Sequence, residues 1–208
     1  MLTTVNQQAG RVAMHAVRER LLDLQAEAVG LPLLKVQIPS PCSNAEYEHA
    51  MAGAMRRAEE QGVDGVAFGD LFLEDVRRYR EEKLSGTGIE ALFPLWGEDT
   101  GRLAREMVRS GVRAYLTCVN PEMLDSSWAG RSFDDRLLDE LPDAVDPCGE
   151  HGEFHTFVHE GPMFSAPLSV RPGRIVERDG FVFADVVRSG PDVPGRNEQG
   201  REGSIPAD

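Results

Sequence analysis

The chain has 208 residues, 41% of them hydrophobic and 27% charged, and carries a formal net charge of -13 at pH 7. This is an ordinary soluble globular composition, long enough to bury a sizeable core in one large domain or two small ones. It excludes a membrane span, because no apolar run approaches the roughly 18 to 20 residues required, and its acidity disfavours a nucleic-acid partner.

No basic n-region or cleavage site follows Met1, so no signal peptide is predicted. Cys42, Cys118 and Cys148 form an odd set without paired spacing. They point to a reducing compartment, and a cytoplasmic location is expected. Every basic residue except Lys35 and Lys83 is arginine, a bias of GC-rich genomes that leans toward a bacterial source.

In chain order, Leu2 to Val5 is the first predicted strand. Val12, Ala16, Leu21, Leu24 and Ala28 recur at helical spacing, and Gly30 with Pro32 supplies the stop. Leu33 to Ile38 is a second strand, closed by Pro39 and Pro41. Asn44 can cap a helix with Tyr47, Met51, Ala54 and Ala58 on one face. Val63 to Phe68 is a third strand, Asp70 to Leu84 a helix, Ala91 to Leu95 a short strand, Asp99 to Ser110 a helix and Val112 to Val119 a strand. This alternation predicts a parallel sheet with crossover helices over 1–119.

Beyond residue 120 the helical signals shorten and strands such as Phe154 to His159 and Phe181 to Val187 dominate, which predicts a smaller α+β lobe over 120–187. Residues 188–208, rich in Gly, Pro and charge, are expected to be a disordered tail.

The densest polar string is Asp146-Pro147-Cys148-Gly149-Glu150-His151-Gly152-Glu153-Phe154-His155-Thr156. Its glycines permit tight turns or close backbone approach to a ligand. If a strand begins at Glu153, Glu153 and His155 share a face, so that two carboxylates and an imidazole converge. Such a set can hold an ammonium, bind a divalent cation or shuttle protons, although solvated loop residues with a satisfied strand histidine would read the same way. Cys148, His151, His155 and His159 are metal-ligand types, but their spacing does not match a zinc knuckle and no metal site is predicted.

Gly69-Asp70 follows the third strand, where ligands of open α/β sheets sit. On local grounds Asp70 caps the next helix. Met14 and His15 fall in the first predicted helix, with core packing the default for Met14. Arg77, Arg78 and Arg80 make a local positive patch that reads first as a solvated helix face, and Cys42 and Cys118 read as buried thiols.

Gly69-Asp70, Leu92-Phe93-Pro94-Leu95-Trp96-Gly97, Gly130-Arg131, the string from Cys148 to Thr156, and Gly161-Pro162-Met163-Phe164 together resemble the diphthine-ammonia ligase family of N-type ATP pyrophosphatases. The resemblance extends to about Val187. It implies a Rossmann-like parallel sheet of the HUP type followed by the smaller substrate lobe. It implies a ligase that uses ATP and Mg²⁺ to adenylate a small-molecule or protein-borne carboxylate, releasing pyrophosphate, and then amidates it with ammonia. By this resemblance Gly69 and Asp70, with Met14 and His15, border the nucleotide, and Glu150, Glu153, His155 and Thr156 face the substrate. A homodimer is compatible with it.

Two departures from the family pattern stand out. The phosphate loop Ser-Gly-Gly-Lys-Asp-Ser does not occur, and Leu2 to Val5 resembles the family's second strand, so the sheet is expected to lack its first strand and the 208-residue chain to bind ATP poorly. A non-catalytic remnant or binding protein of the same family is the alternative expectation. His155-Thr156 stands where the archaeal and eukaryotic ligases carry Glu-Thr, which points to a carboxylate other than diphthine.

Overall fold

The computed structural model describes residues 1–8, 10–12, 15 and 17–190. The first strand, β1 (Leu2–Asn6), runs parallel to β3 (Leu34–Ile38), with Leu2 opposite Leu34 and Asn6 opposite Ile38. A two-residue strand, β2 (Arg11–Val12), folds back antiparallel on the other side of β1. Farther along, β4 (Gly65–Ala67) and β5 (Glu90–Leu92) form a second parallel pair. The expected parallel α/β unit is therefore present, its strands grouped as β2-β1-β3 and β4-β5.

Helix α1 (Glu19–Val29) begins later than its spacing predicts. The Val12 N–H donates to the Val17 carbonyl at 2.8 Å and the Glu19 N–H to the Gly10 carbonyl at 3.0 Å, so backbone groups that a helix would use are spent on a turn. Gly30, at φ 73°, ends α1 in the left-handed conformation that a side chain disfavours.

Helix α2 (Asn44–Glu60) is capped by Ser43, not by the expected Asn44. The Ser43 hydroxyl accepts the Glu46 N–H while the Glu46 carboxylate accepts the Ser43 N–H, which satisfies two orphan donors at once. Ala54, Met55 and Ala58 of α2 pack on Val36 of β3 and on Ile89, and on Leu84 of α3 (Glu74–Leu84).

The second unit is a five-stranded sheet. Its central strand, β6 (Arg113–Val119), takes β8 (Phe154–Glu160) on one side, and β7 (Ser132–Phe133) and β10 (Phe181–Arg188) on the other. The outer strand β9 (Val170–Arg178) pairs with β10 through an Asp179-Gly180 turn, both residues at positive φ. Every one of these pairings is antiparallel.

One face of this sheet is covered by α4 (Thr100–Arg109) and α5 (Asp135–Glu140), with Ala104, Val108, Leu116, Leu137 and Phe154 in the core. The opposite face receives α1 and the segment before it: Leu21 and Val17 pack against Phe157, Val170 and Val186. Polar contacts reinforce that junction, since Gln25 donates to the Val158 carbonyl at 2.6 Å and Asp185 accepts from Arg11 and Arg18.

Three further expectations change. The strand expected to close the first unit at residue 119 is instead the centre of the second sheet, because periodicity reports a strand but not its partner. The architecture changes after β5, in the turn around Pro94 to Glu98. Strand β9 was unexpected because Pro172 and Gly173 interrupt its pattern, yet Pro is tolerated at a sheet edge and a register shift marks this stretch. Strand β10 runs through Arg188, and residues 191–208 of the expected tail lie outside the described residues.

Candidate functional site

The string from Asp146 to Glu153 forms a loop closed from inside by two carboxylates. Asp146 Oδ1 accepts the Cys148 N–H at 2.8 Å and the Glu150 N–H at 3.3 Å. Glu153, fully buried at 0% exposure, accepts the Asp146 N–H on Oε1 and the His151 N–H on Oε2, each at 2.9 Å. Gly149 makes this compactness feasible: at φ +71° an added Cβ would lie 2.7 Å from the Phe154 carbonyl oxygen.

The loop presents Glu150 outward. Its Oε1 accepts the backbone N–H of Leu71 at 2.7 Å, just beyond β4 and Gly69-Asp70. Leu71 is itself buried, and its carbonyl accepts the Gly97 N–H at 2.8 Å. One hydrogen bond thus ties the Gly-Glu loop of the second unit to the carboxyl end of the parallel strands.

A cavity of about 310 Å³ opens beside this junction, lined by His15 together with Glu150, His155 and Thr156. Cys148, Gly149, Gly152 and Phe154 complete its wall. Three of the four residues expected to face a substrate meet there. Glu153 does not: it precedes β8, and both its oxygens accept N–H groups of the loop.

His155 and His15 bring their rings to 4.6 Å between centroids at 43°. Burial, with His15 nearby, pushes the His155 imidazole down to about 4, so it is neutral at physiological pH. Burial also pushes the Cys148 thiol up to about 12, aided by Asp146 and Glu150, and its Sγ lies 3.4 Å from the Thr100 carbonyl. Cys148 therefore contributes a protonated thiol to the cavity wall.

On the nucleotide side the expected residues divide. His15 reaches the cavity, although it sits in a turn and not in the helix that its spacing predicted. Met14 lies outside the described residues. Gly69 lies beyond β4 with nothing within 4 Å of the position a Cβ would take, which leaves its backbone open to approach.

Asp70 neither caps a helix nor stands free. It pairs with Arg80 through Nε at 2.5 Å and a second nitrogen at 3.2 Å, and α3 starts four residues later with Leu73 at its N-cap. Arg80 also lies over the Phe68 ring, and Arg77 lies between Phe93 and Trp96, 4.8 and 4.7 Å from their centroids. The arginines read as a solvated face are thus partly committed to aromatic rings and an acid. Leu71 escaped sequence reading because its contribution is a backbone N–H, and Asp146, although it opens the polar string, was not among the residues expected to act.

Among the described residues, no group of three or more His, Cys, Asp or Glu side chains is disposed to hold a metal ion, and no helix is long and apolar enough to cross a membrane.

Parallel strand pairs with crossover helices, joined to an antiparallel lobe beside a polar cavity that both units line, define an α/β protein of the Rossmann-like ATP-pyrophosphatase type. Residues 1–90 match the family model of the diphthamide synthase N-terminal domain and residues 99–188 that of its C-terminal domain, so the two matches flank the turn where the architecture changes. The chain belongs to the diphthine–ammonia ligase family. It is 32% identical over 186 residues to the diphthine–ammonia ligase of Danio rerio, covering 82% of this chain and 72% of that one. The human enzyme of the same name is 29% identical over 186 residues, covering 82% and 69%. That of Schizosaccharomyces pombe is 25% identical over 177 residues, covering 78% of this chain and 29% of its own length.

Proposed function

We propose that this chain acts as an ATP-dependent ligase that adenylates a carboxylate, releases pyrophosphate and amidates the acyl group with ammonia. The observation that carries this reading is the hydrogen bond from the Leu71 N–H to Glu150, because it sets the residues facing the cavity against the strand ends where the fold class takes its nucleotide.

The cavity lining supports the amide-forming half of the reaction. Glu150 offers a carboxylate that favours an ammonium and can take the proton shed when ammonia attacks the acyl carbon. His155, neutral because it is buried, can accept a hydrogen bond from ammonia without adding positive charge. Phe154 and Cys148 limit the water that would hydrolyse an activated acyl group. ATP supplies the leaving group, AMP. Among the described residues of this lining no lysine or arginine answers the charge of its phosphates; the open backbone at Gly69, beyond β4, is the approach we infer for them. Among the described residues no assembled carboxylate cluster would hold a resident Mg²⁺, and we infer that the ion comes with the nucleotide.

The substrate we infer is a carboxylate other than diphthine. Support comes from His155, a neutral side chain where the resemblance places a glutamate in the archaeal and eukaryotic ligases. The test incubates the chain with Mg²⁺, ammonium and ATP, the nucleotide at the high concentration that weak binding without the phosphate loop requires, against a panel of carboxylates that includes a diphthine-bearing protein, and quantifies AMP and pyrophosphate. Equimolar AMP and pyrophosphate, dependent on one carboxylate, is the expected result. Formation of ADP, or AMP release indifferent to every carboxylate, would overturn the reading.

A further inference from the structure

We propose that Asp146 and Glu153 are positioning residues, which lock the loop between them in the one shape that carries Glu150 across to Leu71. The inference concerns the site of the proposed ligase, and its consequence for turnover rests on that reading. Its structural content does not.

A fully buried carboxylate is costly unless its charge is compensated. Glu153 has no ion-pair partner among the described residues, and its compensation comes from two backbone N–H groups of its own loop. Asp146 repeats the device from the other end, accepting from Cys148 and Glu150. Asp146 therefore pins the first half of the loop through Cys148 and Glu150, and Glu153 draws its two sides together through Asp146 and His151. The Glu153 carbonyl also accepts the Asn120 N–H at 2.9 Å, which anchors the closed loop to the end of β6. Glu150, between the two grips, is the side chain that crosses to the other unit.

The donor arithmetic separates this role from general packing. Both N–H groups held by Asp146 converge on the single atom Oδ1, so asparagine can keep them. Glu153 uses both oxygens for two different donors, so glutamine would turn an NH₂ group toward one backbone N–H. Asp146→Asn should be tolerated and Asp146→Ala should not, and Glu153→Gln should behave like a deletion despite its matching shape.

The test is amide hydrogen exchange of the full chain, read at Leu71 and at Leu116, whose N–H donates to the Arg131 carbonyl in the core sheet. Glu150→Ala gives the value for a lost crossing. Exchange at Leu71 should quicken about tenfold or more in Glu153→Gln and Asp146→Ala, matching Glu150→Ala, and stay near the parent rate in Asp146→Asn, with Leu116 protected throughout. Parent-like protection of Leu71 in Glu153→Gln with Leu116 intact would overturn the proposal. Should Glu153→Gln lose Leu116 protection as well, the Asp146 pair decides: equal exchange at Leu71 in Asp146→Asn and Asp146→Ala overturns it. Carboxylate-dependent AMP formation should follow Leu71 protection across the set. A set in which protection behaves as expected but no AMP is formed refutes the ligase reading and leaves the positioning role standing.

Discussion

The rings of His15 and His155 lie 4.6 Å apart, one in the turn before α1 and the other on β8, so the cavity is built from both units. Burial opposes protonation of His155, and the nearby His15 ring adds to that opposition. The His155 imidazole is held down at about 4 from an ordinary 6.5.

The consequence for stability has a definite sign. Below pH 6.5 the unfolded chain binds a proton at His155 that the folded chain refuses until about pH 4, so stability falls as pH drops through this window and is unaffected above it. The ceiling is about 3 kcal/mol. Urea unfolding at pH 7, 6 and 5 should show the decline, and His155→Gln should flatten it. In an NMR titration His15→Ala should raise the His155 pKa, and an unchanged value would show that the neighbouring ring has no part in the shift.

Gly149 and Gly152 provide a paired test of the loop. Both have positive φ, +71° and +82°, so alanine at either costs about 1 kcal/mol or more in backbone strain. Only at 149 would the new Cβ also meet a backbone oxygen, 2.7 Å away, whereas nothing lies within 4 Å at 152. Gly149→Ala should therefore destabilise the protein by at least about 2 kcal/mol and Gly152→Ala by roughly half of that. Equal losses in chemical denaturation would contradict the close approach of Phe154.

How much of this was legible beforehand depended on whether the information was local. Runs such as Leu33 to Ile38 announced strands, and glycines around Glu150 announced a turn with chemistry in it, because both signals sit within a few residues. Partners were not local. Nothing near β6 says that its neighbours are antiparallel, and nothing near Asp70 says that Arg80 would claim it before it could cap α3. Glu153 illustrates the same limit at closer range: a strand beginning one residue earlier would have aimed it with His155, but β8 starts at Phe154 and the carboxylate turns into its own loop.

The thiols should differ little from inert apolar groups at two of the three cysteines. Burial pushes Cys118 up to about 11 and Cys148 up to about 12, so at pH 8 almost no thiolate is present at either. Iodoacetamide applied to the native protein at pH 8, followed by peptide mapping, should label Cys42 and leave the other two unmodified until denaturant is added. Rapid native labelling of Cys148 would mean that the cavity wall is more open than its contact with the Thr100 carbonyl implies.

Asp185 on β10 links the turn bearing His15 to the second sheet. Its carboxylate accepts from Arg11 at 3.0 Å and from Arg18 at 2.6 and 3.2 Å, with 16% of the side chain exposed. Burial alone would raise its pKa, but the hydrogen bonds from Arg18 and Arg11 outweigh it and hold the carboxyl below the ordinary 3.8. The stabilisation is therefore present above that pH and disappears as acid protonates the group. Both guanidiniums retain solvent, at 28% and 52% exposure, so the loss in Asp185→Ala should be about 1 to 2 kcal/mol and not the larger cost of breaking a dry ion pair. Asp185→Asn, which keeps an acceptor but no charge, should lose less. The more telling readout is remote: if Asp185 holds the segment that places His15 beside His155, then Asp185→Ala must also move the His155 titration upward, as the ring is hydrated and its neighbour recedes. A variant that loses stability while His155 still titrates near pH 4 would show that the arginine pairs brace the sheet without governing the cavity.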